Sequence, residues 1–185
     1  MAEFPKRIDL GDFEMLKPDA TFDKAREFFD VVIKNKDFLS VWLEWTKYYS
    51  KPEDAFNYLK TIEPLNEPSY LIQVDGKFIG GHGFVGFDER HKTAEIGYWL
   101  VPQFNGRGYV TRGISFLEDL AFGQMGINRI QIKVDVNNLK SQAVAVRAGY
   151  VKEGVQRQGY VLRGVPCDVI VYSKLKAEWE KGKQK

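Results

Sequence analysis

The chain has 185 residues, 44% of them hydrophobic and 14% aromatic, which allows one substantial core and is too short for two ordinary domains. Its 27 basic and 25 acidic side chains nearly cancel, so it has no broad basic stripe and nucleic acid is excluded as an expected partner. One cysteine, Cys167, and two histidines, His82 and His91, give neither an intramolecular disulfide nor the ligand count of a zinc site, and no metal is expected.

There is no apolar run long enough to span a bilayer and no signal peptide, so no membrane partner and a cytoplasmic location are expected. A single domain over 1–185 follows, with 1–11 and 176–185 as peripheral tails. The lysines at 174, 176, 181, 183 and 185 read as a solvated tail.

Phe13 to Leu16 reads as a first strand, closed by Pro18. Thr21 or Asp23 can cap a helix with Ala25, Phe28, Phe29, Val32 and Ile33 at spacings of three and four. A second helical stretch holds Phe38, Val41, Trp42 and Trp45; Trp42 and Trp45, with Tyr48 and Tyr49, either pack the helical layer or line an acceptor pocket. Ser50-Lys51-Pro52-Glu53 has the form of a capping box before a helix bearing Ala55, Tyr58, Leu59 and Ile62.

Asn66-Glu67-Pro68 breaks that helix, and Tyr70 to Val74, Asp75-Gly76 and Phe78 to Phe87 make a hairpin signal. Gly80-Gly81-His82-Gly83 imitates a phosphate loop but falls inside an apolar strand pattern, where close packing or a bulge is the expected reason for glycine, and His82 reads as structural. The polar run Asp88 to Lys92 turns into a strand with Ala94, Ile96, Tyr98 and Leu100 on one side and Glu95, Gly97 and Trp99 on the other. After Pro102 to Tyr109, a helix carries Val110, Ile114, Leu117, Leu120 and Ala121 on one face.

A strand from Arg129 to Val136 precedes a helix opened by Asn138-Leu139-Lys140-Ser141 and ending near Gly149. Val151 to Leu162, the turn Arg163-Gly164 and Asp168 to Lys174 close the chain as a last hairpin. Strands that first meander and later enclose helices give an α+β fold with a mixed sheet.

The segment between the two central strands carries the functional signal. Two closely spaced glycines at a helix start aim backbone N–H groups at one point, where the helix dipole favours an anion. The loop is not G-x-x-x-x-G-K-[ST], and after Gly106 and Gly108 the next glycine is Gly113, so neither nucleotide fingerprint fits. The form Gln103-x-x-Gly106-x-Gly108, with the strand, Asn138-x-x-Ser141, short helix and Gly149-Tyr150 that follow, resembles the GCN5-related N-acetyltransferases (GNAT). The words Gly97-Tyr98-Trp99-Leu100, Asn128-Arg129-Ile130 and Glu153-Gly154-Val155 look most like the RimJ/RimL-like branch, acetyltransferases of ribosomal-protein N-termini and their relatives.

That resemblance, spanning roughly Asp12 to Lys174, implies a mixed, mostly antiparallel sheet with helices on both faces and a splayed parallel strand pair holding acetyl-CoA. Leu100 and Val101 would hydrogen-bond the pantetheine arm like an added strand. The stretch Gln103, Phe104, Asn105, Gly106, Arg107, Gly108 and Tyr109 would hold the pyrophosphate, with Arg107 either adding charge or only covering the loop.

Acyl transfer to an amine needs a base, an oxyanion donor and an acid for the departing thiolate. Glu95 stands where the superfamily often carries a glutamate base; the bland reading is a strand residue paired with a lysine across the sheet. The tyrosine acid of many relatives, seven residues past the Asn, is replaced by Ala145, and Ser141 takes the acid's place in the RimL-type pattern, with helix cap as its second reading. Asn138 is expected to touch the pantetheine arm, to cap the helix, or both. Where the RimL pattern tends to carry a glutamate before the last turn, this chain has Tyr160, which detaches it from simple assignment to a ribosomal substrate.

The expected activity is acetyl transfer from acetyl-CoA to a primary amine, a peptide or protein N-terminus. The alternatives are a small amine such as a polyamine, an aminoglycoside or an amino acid, and a non-catalytic acyl-CoA sensor. A homodimer is compatible with these expectations.

Overall fold

The computed structural model describes residues 4–62 and 68–184. In chain order its elements are β1 (Arg7–Asp9), β2 (Glu14–Leu16), α1 (Phe22–Lys34), α2 (Lys36–Leu39), a 3-10 turn (Glu44–Tyr48), α3 (Pro52–Ile62), β3 (Ser69–Val74) and β4 (Lys77–Asp88). There follow β5 (Thr93–Leu100), a second 3-10 turn (Pro102–Phe104), α4 (Tyr109–Gly123), β6 (Arg129–Asp135), α5 (Leu139–Arg147), β7 (Val151–Leu162), β8 (Val165–Leu175) and α6 (Lys176–Lys183). The sheet order is β1-β2-β3-β4-β5-β6-β8-β7. β5 and β6 are parallel, while β1–β2, β2–β3, β3–β4, β6–β8 and β7–β8 are antiparallel. This is the mixed α+β architecture that the sequence predicts.

The described residues form two compact units: a front unit of residues 4–62, 68–83 and 98–109, and a rear unit of 84–97 and 110–184. In the front unit, α1 packs on α3. Its apolar spacing buries Ala25, Phe28 and Val32, and Thr21 Oγ1 accepts the Lys24 N–H at 3.3 Å as a cap. The cap of α3 is Asp54 rather than the predicted box residue Glu53: its Oδ2 accepts from Ser50 N (2.8 Å), Ser50 Oγ (2.8 Å) and Lys51 N (3.0 Å).

The second helical stretch is broken, because aromatic and β-branched residues lose side-chain freedom in a helix and tertiary stacking offers them more. Trp45, within the 3-10 turn, and Tyr49, the extended residue that ends it, pack on Phe28 at centroid distances of 6.4 and 5.6 Å. Phe28 also meets Tyr58, Phe78 and Trp99, and pairs of this kind contribute about 0.5–1.5 kcal/mol each beyond their area. Tyr48 is exposed. The Asp75-Gly76 turn has both residues at positive φ (48° and 73°), as a two-residue hairpin requires. The predicted break at Asn66-Glu67 lies outside the described residues.

In the rear unit, α4 buries Val110, Ile114, Leu117, Leu120 and Ala121, and β6 buries Ile130, Ile132 and Val134. Glu118, almost wholly buried, is tied to Lys174 Nζ at 2.9 and 3.1 Å, and the same ammonium donates to Ala148 O at 2.8 Å. One cation thereby joins α4, the end of α5 and β8. Removing one partner of such a buried pair costs about 3–5 kcal/mol.

Two elements fall where peripheral tails were predicted. β1 pairs with β2, including an Arg7–Glu14 ion pair. α6 is docked, with Trp179 against Phe122 (5.7 Å) and its indole N–H on Asp119 Oδ1 at 2.9 Å, while Lys183 also pairs with Asp119. The lysine run conceals this helix, since its one apolar anchor is a single tryptophan.

Candidate functional site

The candidate residues fall in three groups: the glycine loop in the front unit, and the start of α5 and a carboxylate cluster in the rear unit.

Leu100 and Val101 are buried, and the Val101 N–H already donates to Ile79 O at 2.9 Å. Its carbonyl accepts from Phe104 N at 3.2 Å and, as a carbonyl oxygen, has a second lone pair. Pro102 fixes the first turn, and Asn105 N bonds back to Pro102 O at 3.2 Å. The Gln103 amide donates to Asn35 Oδ1 at 3.4 Å. Gly106 and Gly108 both adopt positive φ (82° and 79°), a region closed to most side chains, and nothing stands within 4 Å of where a Cβ would be on either.

Residues 105–108 are exposed, so the loop presents backbone to open space. Next comes α4, whose first-turn N–H groups have no intrahelical carbonyl to bond, and no acidic residue stands in that turn to compete for them. The Arg107 guanidinium lies over the Phe104 ring at 5.1 Å, and Tyr109 packs on Phe13 at 5.0 Å. Arg107 thus rests on a ring of its own loop, with its charge in the open. The arrangement can receive an anion on backbone donors.

At the start of α5, Asn138 Oδ1 accepts the Ser141 N–H at 3.1 Å, so Asn138 is the N-cap. Ser141 is half-buried in the first turn. Asp135 shapes the approach by accepting Asn137 N at 2.7 Å, and Gln142 donates to Val136 O at 2.8 Å. Ala145 is fully buried; the position that carries a tyrosine in many acetyltransferases is here part of the packing.

Glu95 is the centre of the third group. The parallel register places Glu95 beside Gln131, and Gln131 Nε2 donates to Glu95 Oε2 at 3.0 Å. Lys133 Nζ reaches the same oxygen at 2.9 Å, and the Tyr160 hydroxyl donates to Oε1 at 3.1 Å. Lys133 realises the lysine pairing predicted as the bland alternative for Glu95. Tyr160 is a residue that sequence reasoning treated only as a missing glutamate. Burial first, and then the neighbouring Glu95 charge, raise its phenol well above the ordinary range, so the hydroxyl stays a donor.

The parallel ladder ends here: it registers Thr93, Ala94 and Glu95 against Arg129, Ile130 and Gln131 and no further, although both strands continue.

His82 belongs to none of these groups. It is buried, its Nε2 lies 3.2 Å from Met15 Sδ, and burial pushes its imidazole down to about 3, so it is a neutral core residue. Among the described residues no group of three or more His, Cys, Asp or Glu is placed to hold a metal ion, and no helix is long and apolar enough to cross a membrane.

The sequence profile of the acetyltransferase (GNAT) domain matches residues 19–151. The chain is similar to YdaF of Bacillus subtilis strain 168, named provisionally as a ribosomal N-acetyltransferase, at 34% identity over 84% of this chain and 88% of that protein. Among solved structures it is similar to the microcin C7 self-immunity acetyltransferase MccE in complex with acetyl-CoA and AMP, with a TM-score of 0.85 and 31% identity over 93% of this chain and 97% of that one. It is also similar to RimL, a ribosomal L7/L12 α-N-protein acetyltransferase, in complex with coenzyme A, with a TM-score of 0.84 and 28% identity over 91% and 97%.

Proposed function

This chain belongs to the GNAT acetyltransferase family, and from that premise we propose that it moves the acetyl group of acetyl-CoA to the N-terminal amine of a peptide or protein. The observation that carries the reading is the loop itself: Gly106 and Gly108, both left-handed and open in front, lead into a helix start free of acidic side chains. A pyrophosphate fits such a cradle without displacing any side chain at the two glycines. Acetyl-CoA supplies the activated thioester.

We assign the other groups by the chemistry they can perform. Backbone N–H groups of the Gln103–Tyr109 stretch hold the pyrophosphate, with Asn105 shaping the turn and Arg107 adding charge at its edge. Leu100 and the free lone pair of Val101 receive the pantetheine arm, and Asn138 orients the segment that bears Ser141. The amine nitrogen attacks the thioester carbonyl and its N–C bond replaces the C–S bond; the Ser141 hydroxyl gives its proton to the departing sulfur and regains one from water, or stabilises the thiolate, and Glu95 takes the proton leaving the amine nitrogen, directly or through one water. Acceptor choice is supported by the names of YdaF and RimL. A single catalytic domain is supported by the family match, which runs through both units.

A second reading, a small-molecule amine, is supported by the name of a more distant relative, the spermidine N(1)-acetyltransferase of Escherichia coli strain K12, 24% identical over 63% of this chain and 66% of that protein. The experiment that separates them is kcat/KM with acetyl-CoA across free-N-terminal peptides and small amines, in the parent and in Ser141→Ala. Peptides should lead by at least tenfold, because that ratio measures which transition state the site is shaped to bind. Ser141→Ala should lose about a hundredfold or more in kcat with CoA binding intact. A small amine leading by the same margin replaces the first reading with the second, and parent-like turnover of Ser141→Ala reduces that residue to a cap.

A further inference from the structure

β5, β6, β8 and β7 lie side by side in that order, so Glu95 on β5 and Tyr160 on β7 belong to strands three spacings apart, about 14 Å across a flat sheet. Their side chains nevertheless meet at 3.1 Å. An irregularity in β7 makes the reach. Gln156 faces Val169 and Tyr160 faces Cys167, so four steps along β7 match two along β8. The extra residues form a bulge, which bends a strand and re-aims the side chain after it.

Three features hold the bulge. Gln158 sits at φ 54°, its N–H donates to Asp168 Oδ1 at 2.8 Å, and Gly159 lies so close to β8 that a Cβ would come within 2.5 Å of Val169 Cγ2. The groups facing Glu95 are Lys133 and Gln131 from β6 and Tyr160 from β7; the Cys167 thiol from β8 lies behind Tyr160, donating to its carbonyl at 3.6 Å. Glu95 Oε2 carries two donors, while among the described residues Oε1 carries Tyr160 alone. A carboxylate oxygen has room for about two bonds, so Oε1 is the oxygen left to accept a further proton.

We propose that Tyr160 is a positioning residue for Glu95, aimed by the Arg157–Gly159 bulge, and that it turns Oε1 toward the acceptor amine. This rests on the reading of Glu95 as the group that receives the amine proton. In that step an N–H bond of the acceptor breaks, the proton and no electron pair moves to Oε1, and the resulting carboxylic acid later returns the proton to water.

The test is a double-mutant cycle of Tyr160→Phe and Glu95→Gln, read with acetyl-CoA and a peptide bearing a free N-terminal serine. Tyr160→Phe keeps the ring and should lose about tenfold in kcat with KM for acetyl-CoA within twofold. In the Glu95→Gln background the same substitution should cause no further loss, because a residue that acts through another is silent once the other is gone. Parent-like kcat in Tyr160→Phe, or an equal loss in both backgrounds, overturns the proposal. If Glu95→Gln itself turns over like the parent, the proton-acceptor reading falls. The positioning proposal then falls with it, whereas parent-like kcat in Tyr160→Phe beside an impaired Glu95→Gln overturns the proposal alone.

Discussion

Two glycine-rich stretches of the front unit look alike as text and differ in what glycine does. In Gly106-Arg107-Gly108 both glycines have positive φ, and a Cβ on either would meet nothing within 4 Å. In Gly80-Gly81-His82-Gly83 the backbone is ordinary strand, and the space is full. A Cβ on Gly80 would lie 2.4 Å from Trp99 O, and one on Gly83 would lie 2.7 Å from Ser69 Cα and Pro68 O. The first stretch spends its glycines on backbone shape and leaves room outside for a guest. The second uses them to bring Trp99 down onto the strand, where it joins Phe28, Trp45 and Phe78.

Gly80→Val should have the largest effect on this contrast. With backbone as the obstacle, overpacking should cost about 3 kcal/mol or more, lowering Tm by roughly 6–12 °C in a chain of this size. A Tm within 2 °C or so of the parent, on the order of measurement error for an effect this size, would erase the distinction. Next comes pH. His82 is held neutral, its folded value about 3 against 6.5 for the free group, so the unfolded chain binds the extra proton between those values. Its contribution to stability is complete above about pH 6.5 and is lost as pH falls toward 3, at up to about 1.4 kcal/mol per unit, or about 2 kcal/mol by pH 5. Urea unfolding of the parent and His82→Leu at pH 7 and pH 5 checks this: the slope should flatten in the variant.

Gly108→Val should reverse the pattern of Gly80→Val. The left-handed backbone costs about 1–2 kcal/mol with a side chain, the fold persists, and CoA affinity falls at least about tenfold by calorimetry. Affinity equal to the parent would move the cradle elsewhere. The smallest effect belongs to Arg107→Ala, since the guanidinium is exposed and rests on Phe104. A two- to threefold loss of CoA affinity, about 0.5 kcal/mol, should vanish at high salt; a larger, salt-resistant loss would make Arg107 a direct ligand.

The comparison also marks what a sequence can disclose. Helix α4, the two two-residue hairpin turns and the Gly106/Gly108 loop were legible, because apolar spacing, Asp75-Gly76 and Arg163-Gly164, and a strand-to-helix glycine pair each act within a few residues. Asn138 as a cap was legible for the same reason. The Glu95 cluster was only half so: a lysine partner was anticipated, but Tyr160 arrives through a bulge whose sequence mark is one glycine inside a strand, Gly159. Asp54 for Glu53 at the start of α3 is a one-residue slip of a local rule. The broken stretch after α2 was not legible, because it is decided by the rings gathered on Phe28 from distant parts of the chain. β1 and α6 escaped because charge dominates their composition and each is held by a few contacts.

The docking of α6 has a spectroscopic consequence. Of the four tryptophans, Trp42, Trp45 and Trp99 lie in the front unit and Trp179 in the rear unit. Intrinsic fluorescence of the native chain therefore mixes signals from both. Trp179→Phe would hand the emission to the front unit alone, where Trp45 and Trp99 stand 5.5 Å apart, and the difference from the parent would isolate an indole bonded to a carboxylate. Two optical traces from one protein would then report whether the two units melt together or in sequence.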